Sequence, residues 1–132
     1  QMGLLQIHAG LANTAVLFIA ALGIWALMFR FLKRPLDSTW FGAAIIGELV
    51  IIVEAALGGL LYMQGLSAAL PRPFMHILYG VVALICLPAA QTYFGNLKDE
   101  NVKSLAMAAT CAFLWGILLR AGFVAQYAGP AF

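Results

Sequence analysis

The sequence predicts an all-α integral membrane protein, an up-down-up-down bundle of four transmembrane helices. Three observations carry that reading. Of the 132 residues, 64% are hydrophobic and 9% charged, whereas a soluble domain carries roughly 45–50% apolar and about 25% charged residues. The mean hydropathy is +0.99. Most of the charges and prolines fall into three short stretches. The four apolar runs left between them each approach or exceed the roughly 20 residues that a span requires. A net charge of +2 with no clustered basic stripe argues against nucleic acid as a partner.

The first span covers about residues 4–29. It is too long for the apolar region of a signal peptide and has no small-residue cleavage site, so it is expected to be retained. "RFLKRPLDST" ends it: three bases and Pro35 are followed by Asp37, Ser38 and Thr39, which suit a helix N-cap. The second span covers about residues 39–63. "QGLSAALPRP" then supplies Gly65 and two prolines, which stop one helix and start the next. The third span covers about residues 73–94, with Pro88 expected to kink it. "GNLKDENVK" is a charged turn with Asn101 as a candidate N-cap, and the fourth span covers about residues 102–125. Short connections make neighbouring helices antiparallel. The whole chain, residues 1–132, reads as a single transmembrane domain.

The basic residues set an orientation. Arg30, Lys33 and Arg34 lie in the first loop, Lys98 and Lys103 in the third, and Arg72 alone in the second. The positive-inside rule puts loops one and three in the cytoplasm and both termini on the outer, periplasmic-type side of what reads as a bacterial inner membrane. Trp25, Trp40, Tyr62, Tyr93 and Tyr127 fall toward span ends and read as interfacial belts. Trp115 is deeper, and a packing role is expected for it. Cys86 and Cys111 sit inside apolar runs and are expected to be free thiols.

Ionisable groups inside a bilayer are costly, so each one needs a reason. At about 1.5 Å per residue, His8 and His76 come to nearly equal depth below the outer surface. Arg72 lies one turn above His76, Arg120 near the outer end of the fourth helix, and Glu54 in the outer half of the second. Every helix thus sends at least one ionisable group to the outer half. In an up-down bundle, helices one and three are diagonal, roughly 12–14 Å apart. Two imidazoles meeting an iron from opposite sides span about that distance, which makes His8 and His76 candidate axial ligands of a haem b. Gly80, one turn below His76, and Ala12 and Ala15, below His8, would leave room for the macrocycle. Gly47, Glu54 and Gly58 share a face of the second helix. Arg72 and Arg120 would take the propionates, for which an arginine fork is well suited. Glu54 would orient a histidine or pair with Arg120. Glu48 is near mid-membrane, about 120° around the helix from Glu54, within reach of Gln91 or Thr110. The competing reading gives each histidine an interfacial, snorkelling role with no ligand.

"RPFMHILYGVVALICLPAA" resembles the helix openings of small four-helix membrane b-type cytochromes, the cytochrome b561-like and heme A synthase-like bundles. The resemblance covers His76 with Gly80 and, more loosely, His8 with its alanines. It implies histidine-ligated haem in a bundle with short polar loops. Those families typically bring four histidines for two haems. Two histidines here imply one bis-histidine haem, near the outer face.

Three functions follow as expectations. The first is a haem b-binding electron-transfer subunit of a larger redox complex. Its partners would be other membrane subunits, lipid and, as a further candidate, a quinone. The second is a cofactor-free structural, accessory or assembly subunit of a respiratory or photosynthetic complex. The third is a small transporter lined by Glu48 and Glu54, which no inverted repeat or broken helix pair supports. No nucleophile–base constellation or nucleotide-binding loop marks an enzyme that acts alone.

Overall fold

A computed structural model describes residues 2–65 and 73–125 of the chain. Four helices account for nearly all of them: α1 (Met2–Phe31), α2 (Ser38–Met63), α3 (Pro73–Phe94) and α4 (Glu100–Ala125). All four are long and apolar enough to cross a membrane. They form an up-down-up-down bundle in which α1 packs on α2 and α4, and α3 on α4 and α2, so α1 and α3 stand on a diagonal. The tightest seams are α1 with α4 and α3 with α4; α2 meets α3 least. One end of the bundle carries His8 and His76, and the other carries the lysine- and arginine-rich turns.

Helix ends follow local chemistry. Asp37 caps α2, its Oδ1 accepting from the Trp40 N–H at 3.0 Å. α4 is capped by Asp99, not by Asn101: the Asp99 carboxylate accepts from the N–H groups of Asn101 and Val102 at 3.0 and 3.3 Å. An ionised acceptor at a helix N-terminus also meets the positive end of the dipole, an advantage the neutral Asn101 lacks. Asn101 instead lies in the first turn, and its carbonyl accepts from Arg30 Nη1 at 3.0 Å, tying α1 to α4. α1 closes with the N–H of Arg34 bonded to the Phe29 carbonyl and that of Lys33 to Arg30. This is a Schellman turn with Lys33 in the left-handed region at φ 55°. α2 ends similarly, with Gly65 at φ 81°. α3 runs through Pro88 without a break.

Four hydroxyl groups in the spans are satisfied locally. Thr14, Thr92, Ser104 and Thr110 each donate a hydroxyl to the carbonyl four residues back, as hydroxyls do where no water competes. Of the two partners expected for Glu48, Gln91 or Thr110, the Thr110 hydroxyl is taken by the Ala106 carbonyl, and Glu48 Oε1 is buried with no partner. Trp40 overturns its reading as an interfacial residue. It is fully buried, and its indole N–H donates to the Leu22 carbonyl at 3.1 Å. That bond removes the polar cost that holds most tryptophans at an interface. Tyr62 and Tyr93 are exposed, consistent with a belt, and Trp115 is exposed rather than packed inside. Tyr127 lies outside the described residues. Cys86 and Cys111 are free thiols.

The core is confined to part of the bundle. Its contiguous buried cluster begins at Ala15 on α1 and Ala83 on α3, and stops at Ile51 on α2 and Leu114 on α4. It continues from there to the basic end through Ile19, Leu22, Trp40, Leu87, Met107 and Cys111. Toward the histidine end, only Leu61 and Val124 among the described apolar side chains are fully buried, and neither joins that cluster.

Candidate cofactor site

Three ionisable groups lie beyond the core at one end, while Glu48 stands within its span on α2. His8 is two turns beyond Ala15, His76 two turns beyond Ala83, and Glu54 one turn beyond Ile51, so α1, α2 and α3 leave the apolar core at one level and enter a polar layer together. The two histidines face one another, with ring centres 6.3 Å apart and planes crossed at 80°. The equal depth expected from the sequence is what this geometry requires.

Each imidazole is held through Nδ1. The His76 Nδ1 lies 2.8 Å from the carbonyl oxygen of Ala121 on α4. A carbonyl can only accept, so Nδ1 carries the proton and the Nε2 of a neutral ring keeps its lone pair. The His8 Nδ1 lies 3.4 Å from Glu54 Oε2, a polar contact that lacks hydrogen-bond alignment. Both side chains are largely buried, at 17% and 15% exposure. Glu54 Oε1 is buried with no partner. Gly58, one turn along α2 from Glu54, backs onto the same ring: a Cβ there would sit 3.2 Å from His8 Cε1. Toward the same end of the bundle, the half-buried Gly80, Gly116 and Gly122 have nothing within 4 Å of where a Cβ would stand, and Gly116 lines an open groove with Leu119, Arg120 and Phe123.

The donor set fits a haem better than a bare ion. Among the described residues, no group of three or more His, Cys, Asp or Glu is placed to hold a metal ion. A haem brings four nitrogens of its own and asks the protein for two. With metal–imidazole bonds of about 2.0–2.1 Å, and each ring centre about 1.1 Å further on, two imidazoles on opposite sides of one metal have centres roughly 6.3 Å apart. The observed 6.3 Å matches that distance, and it also falls in the 4.5–7 Å range of an ordinary edge-on ring pair.

The remaining candidates sort as follows. Arg120 does not pair with Glu54; its guanidinium stands 5.9 Å from the centre of the Tyr79 ring, a cation–π contact on an exposed side chain. It borders a small groove of about 360 Å³ with Gly116, Leu119 and Phe123. Arg72 lies outside the described residues. Gly80 lies one turn from His76 on α3, with nothing within 4 Å of its Cβ position. Two contributions went unforeseen: the Ala121 carbonyl, because backbone acceptors have no residue-type signature, and the contact of Gly58 with His8. The only sequence signal for the second was the shared face of Gly47, Glu54 and Gly58.

No protein-family model, curated protein or solved structure gives a significant match to this chain. Its functional reading therefore rests on the site's own chemistry.

Proposed function

We propose that this chain is a haem b-binding electron-transfer subunit of a membrane redox complex, with one haem held by His8 and His76. The observation that carries the reading is the pair of imidazoles with ring centres 6.3 Å apart, His76 bonded through Nδ1 to the Ala121 carbonyl and His8 with its Nδ1 beside Glu54. A b haem would supply reversible one-electron chemistry at its iron. The chain's own residues do the rest. Ala121 accepts from the Nδ1 of His76 and Glu54 lies beside the Nδ1 of His8, which leaves Nε2 of each ring as the nitrogen for a ligand, the usual outer-shell support of a ligand histidine. Gly80 leaves space beside His76, and Arg120, with Arg72, is the cation available to propionates. The apolar wall that begins at Ala15, Ile51, Ala83 and Leu114 keeps water from the far side.

The same reading puts the histidine end at the outer face of a bacterial inner membrane, with both termini on that side, because the basic turns favour the cytoplasm. One haem near one face cannot carry an electron across a bilayer core of about 30 Å, so it exchanges electrons with neighbours: other subunits, a soluble carrier or a quinone in the membrane. The test is the reduced-minus-oxidised absorption spectrum of purified protein, with a pyridine haemochrome assay. An α band near 560 nm, about one haem per chain, is expected; its absence after expression with ample haem ends the proposal.

A second reading is favoured by one observation. His8 against Glu54 and His76 against Ala121 already give both rings polar partners without a ligand. The chain is then a cofactor-free structural, accessory or assembly subunit of a respiratory or photosynthetic complex. Blue-native electrophoresis of colourless protein in mild detergent tests it, and migration as a lone monomer rules against it.

A further inference from the structure

α2 supplies no candidate ligand, yet two of its residues touch His8. Glu54 faces the Nδ1 edge at 3.4 Å. Gly58 abuts the ring at Cε1, with a Cβ position 3.2 Å from that atom and 3.7 Å from Nε2. His76 lies across the bundle with its ring centre 6.3 Å away. His8 is therefore held on three sides by three different helices' worth of contacts: its own, α2 and α3.

The two histidines are not held alike. His76 leans on a backbone carbonyl, which no side-chain change can remove. His8 leans on a carboxylate and on the bare backbone of a glycine. Gly58 differs sharply from its neighbour Gly59, where a Cβ would meet nothing within 4 Å. Both are mid-helix positions, where glycine weakens a helix by roughly 0.5–1 kcal/mol relative to alanine. Flexibility or helix propensity would treat the two glycines alike; the contact with His8 does not.

From this contrast we infer that α2 is a positioning helix for the His8 ligand, and that Gly58 is the residue whose missing side chain sets the ring's place and tilt while Glu54 sets its rotation and donor strength. This rests on the haem reading above and adds to it a residue that controls the iron's reduction potential without contacting the iron. A methyl group at 3.2 Å requires the ring to give way by a few tenths of an ångström. Free His8 can do so. A ring tied to iron on one edge and to Glu54 on the other cannot without changing its angle to the metal.

The experiment compares wild type, Gly58→Ala and Gly59→Ala as haem-loaded full-length protein. Low-temperature EPR and a redox titration are the readouts. Gly59→Ala is expected to match wild type. Gly58→Ala is expected to shift the low-spin EPR signature and to change the reduced-to-oxidised ratio at fixed potential by threefold or more, where tenfold equals about 59 mV for a one-electron couple. An unchanged signature and potential in Gly58→Ala overturns the inference while leaving the haem intact. Should Gly58→Ala yield no monodisperse protein, Glu54→Gln decides. It keeps the shape and an acceptor but replaces the acid beside His8 Nδ1 with an amide, a weaker acceptor that makes the ring a poorer donor, so the reduced fraction rises at fixed potential; no change overturns the inference. Wild-type protein without haem removes the haem reading itself, and the inference with it, before any variant is compared.

Discussion

The two ends of this bundle are built by different rules. Toward the basic end, side chains fill the bundle axis: Ile19, Leu22, Trp40, Leu87, Met107 and Leu114 are essentially sealed, and a groove of about 520 Å³ lined by residues of α3 and α4, among them Cys86, Tyr93 and Phe113, lies outside that core. Two glycines, Gly23 and Gly47, are contact points. A Cβ at Gly23 would lie 3.0 Å from Cys111 Cβ, and one at Gly47 would lie 3.1 Å from the Phe18 ring. Toward the histidine end, the contiguous core is gone, the half-buried Gly80, Gly116 and Gly122 face open space, and the interior is polar. In lipid there is no hydrophobic gain from helix association, so bundles are held by close packing and polar links. The basic end has the packing. The histidine end exchanges it for His8, Glu54 and His76, an arrangement that is costly unless it serves a purpose.

The sharpest way to break this contrast is to remove a histidine. His76→Ala is expected to abolish the 560 nm band, a loss of at least tenfold in bound haem, because a single imidazole holds a b haem far less firmly than two. The cofactor-free fold should change little, since His76 lies outside the packed cluster. Pyridine haemochrome measures the first effect and circular dichroism in detergent the second. Unfolding of His76→Ala with no haem ever present would move the site to the structural side of the comparison.

Next in size is a test of packing. Gly23→Ala drives a methyl against the Cβ of Cys111, a rigid neighbour in the sealed core. Overpacking of that kind costs about 1–3 kcal/mol. Gly80→Ala, made in cofactor-free protein, meets nothing within 4 Å and should be neutral or gain up to about 1 kcal/mol from helix propensity. Denaturant titration of both in one detergent checks the difference, and equal effects would erase the distinction between the two ends.

The fold was legible because a membrane helix needs only length and apolarity, and the three polar breaks leave no other division of the chain. The depth match of His8 and His76 was legible for the same reason: residue counts from helix ends are distances. Rotation about the helix axis was harder. Trp40 read as interfacial because it stands at a span end, but its rotation turns the indole inward to the Leu22 carbonyl. Arg120 was a candidate partner for Glu54, yet the structure turns it to Tyr79. In a chain this apolar, the helix faces differ too little for periodicity to distinguish lipid from neighbour. The partners of side chains therefore became visible only once all four helices were packed.

A polar link at the basic end comes next. Arg30 Nη1 donates to the Asn101 carbonyl and ties the end of α1 to the start of α4. Arg30→Ala should cost about 0.5–1.5 kcal/mol, the usual net worth of one hydrogen bond with somewhat more for a charged donor. Thermal unfolding in detergent measures it, and haem content, at the opposite end, should stay unchanged.

The smallest expected effect is a gain. Lys33 holds a left-handed conformation at φ 55° in the Schellman turn that ends α1. An L-residue pays about 1–2 kcal/mol for that region, and α2 fills the equivalent position with Gly65 at φ 81°. Lys33→Gly removes the steric cost but adds backbone entropy to the unfolded chain. The net gain should be about 0.5–1 kcal/mol, seen as a modest rise in melting temperature. The gain should be the same with and without haem, because the turn lies beyond the packed core, on the side away from the site. A haem-dependent gain would mean that the two ends are mechanically coupled, and the packed middle would then have to be read as a transmitter and not a partition.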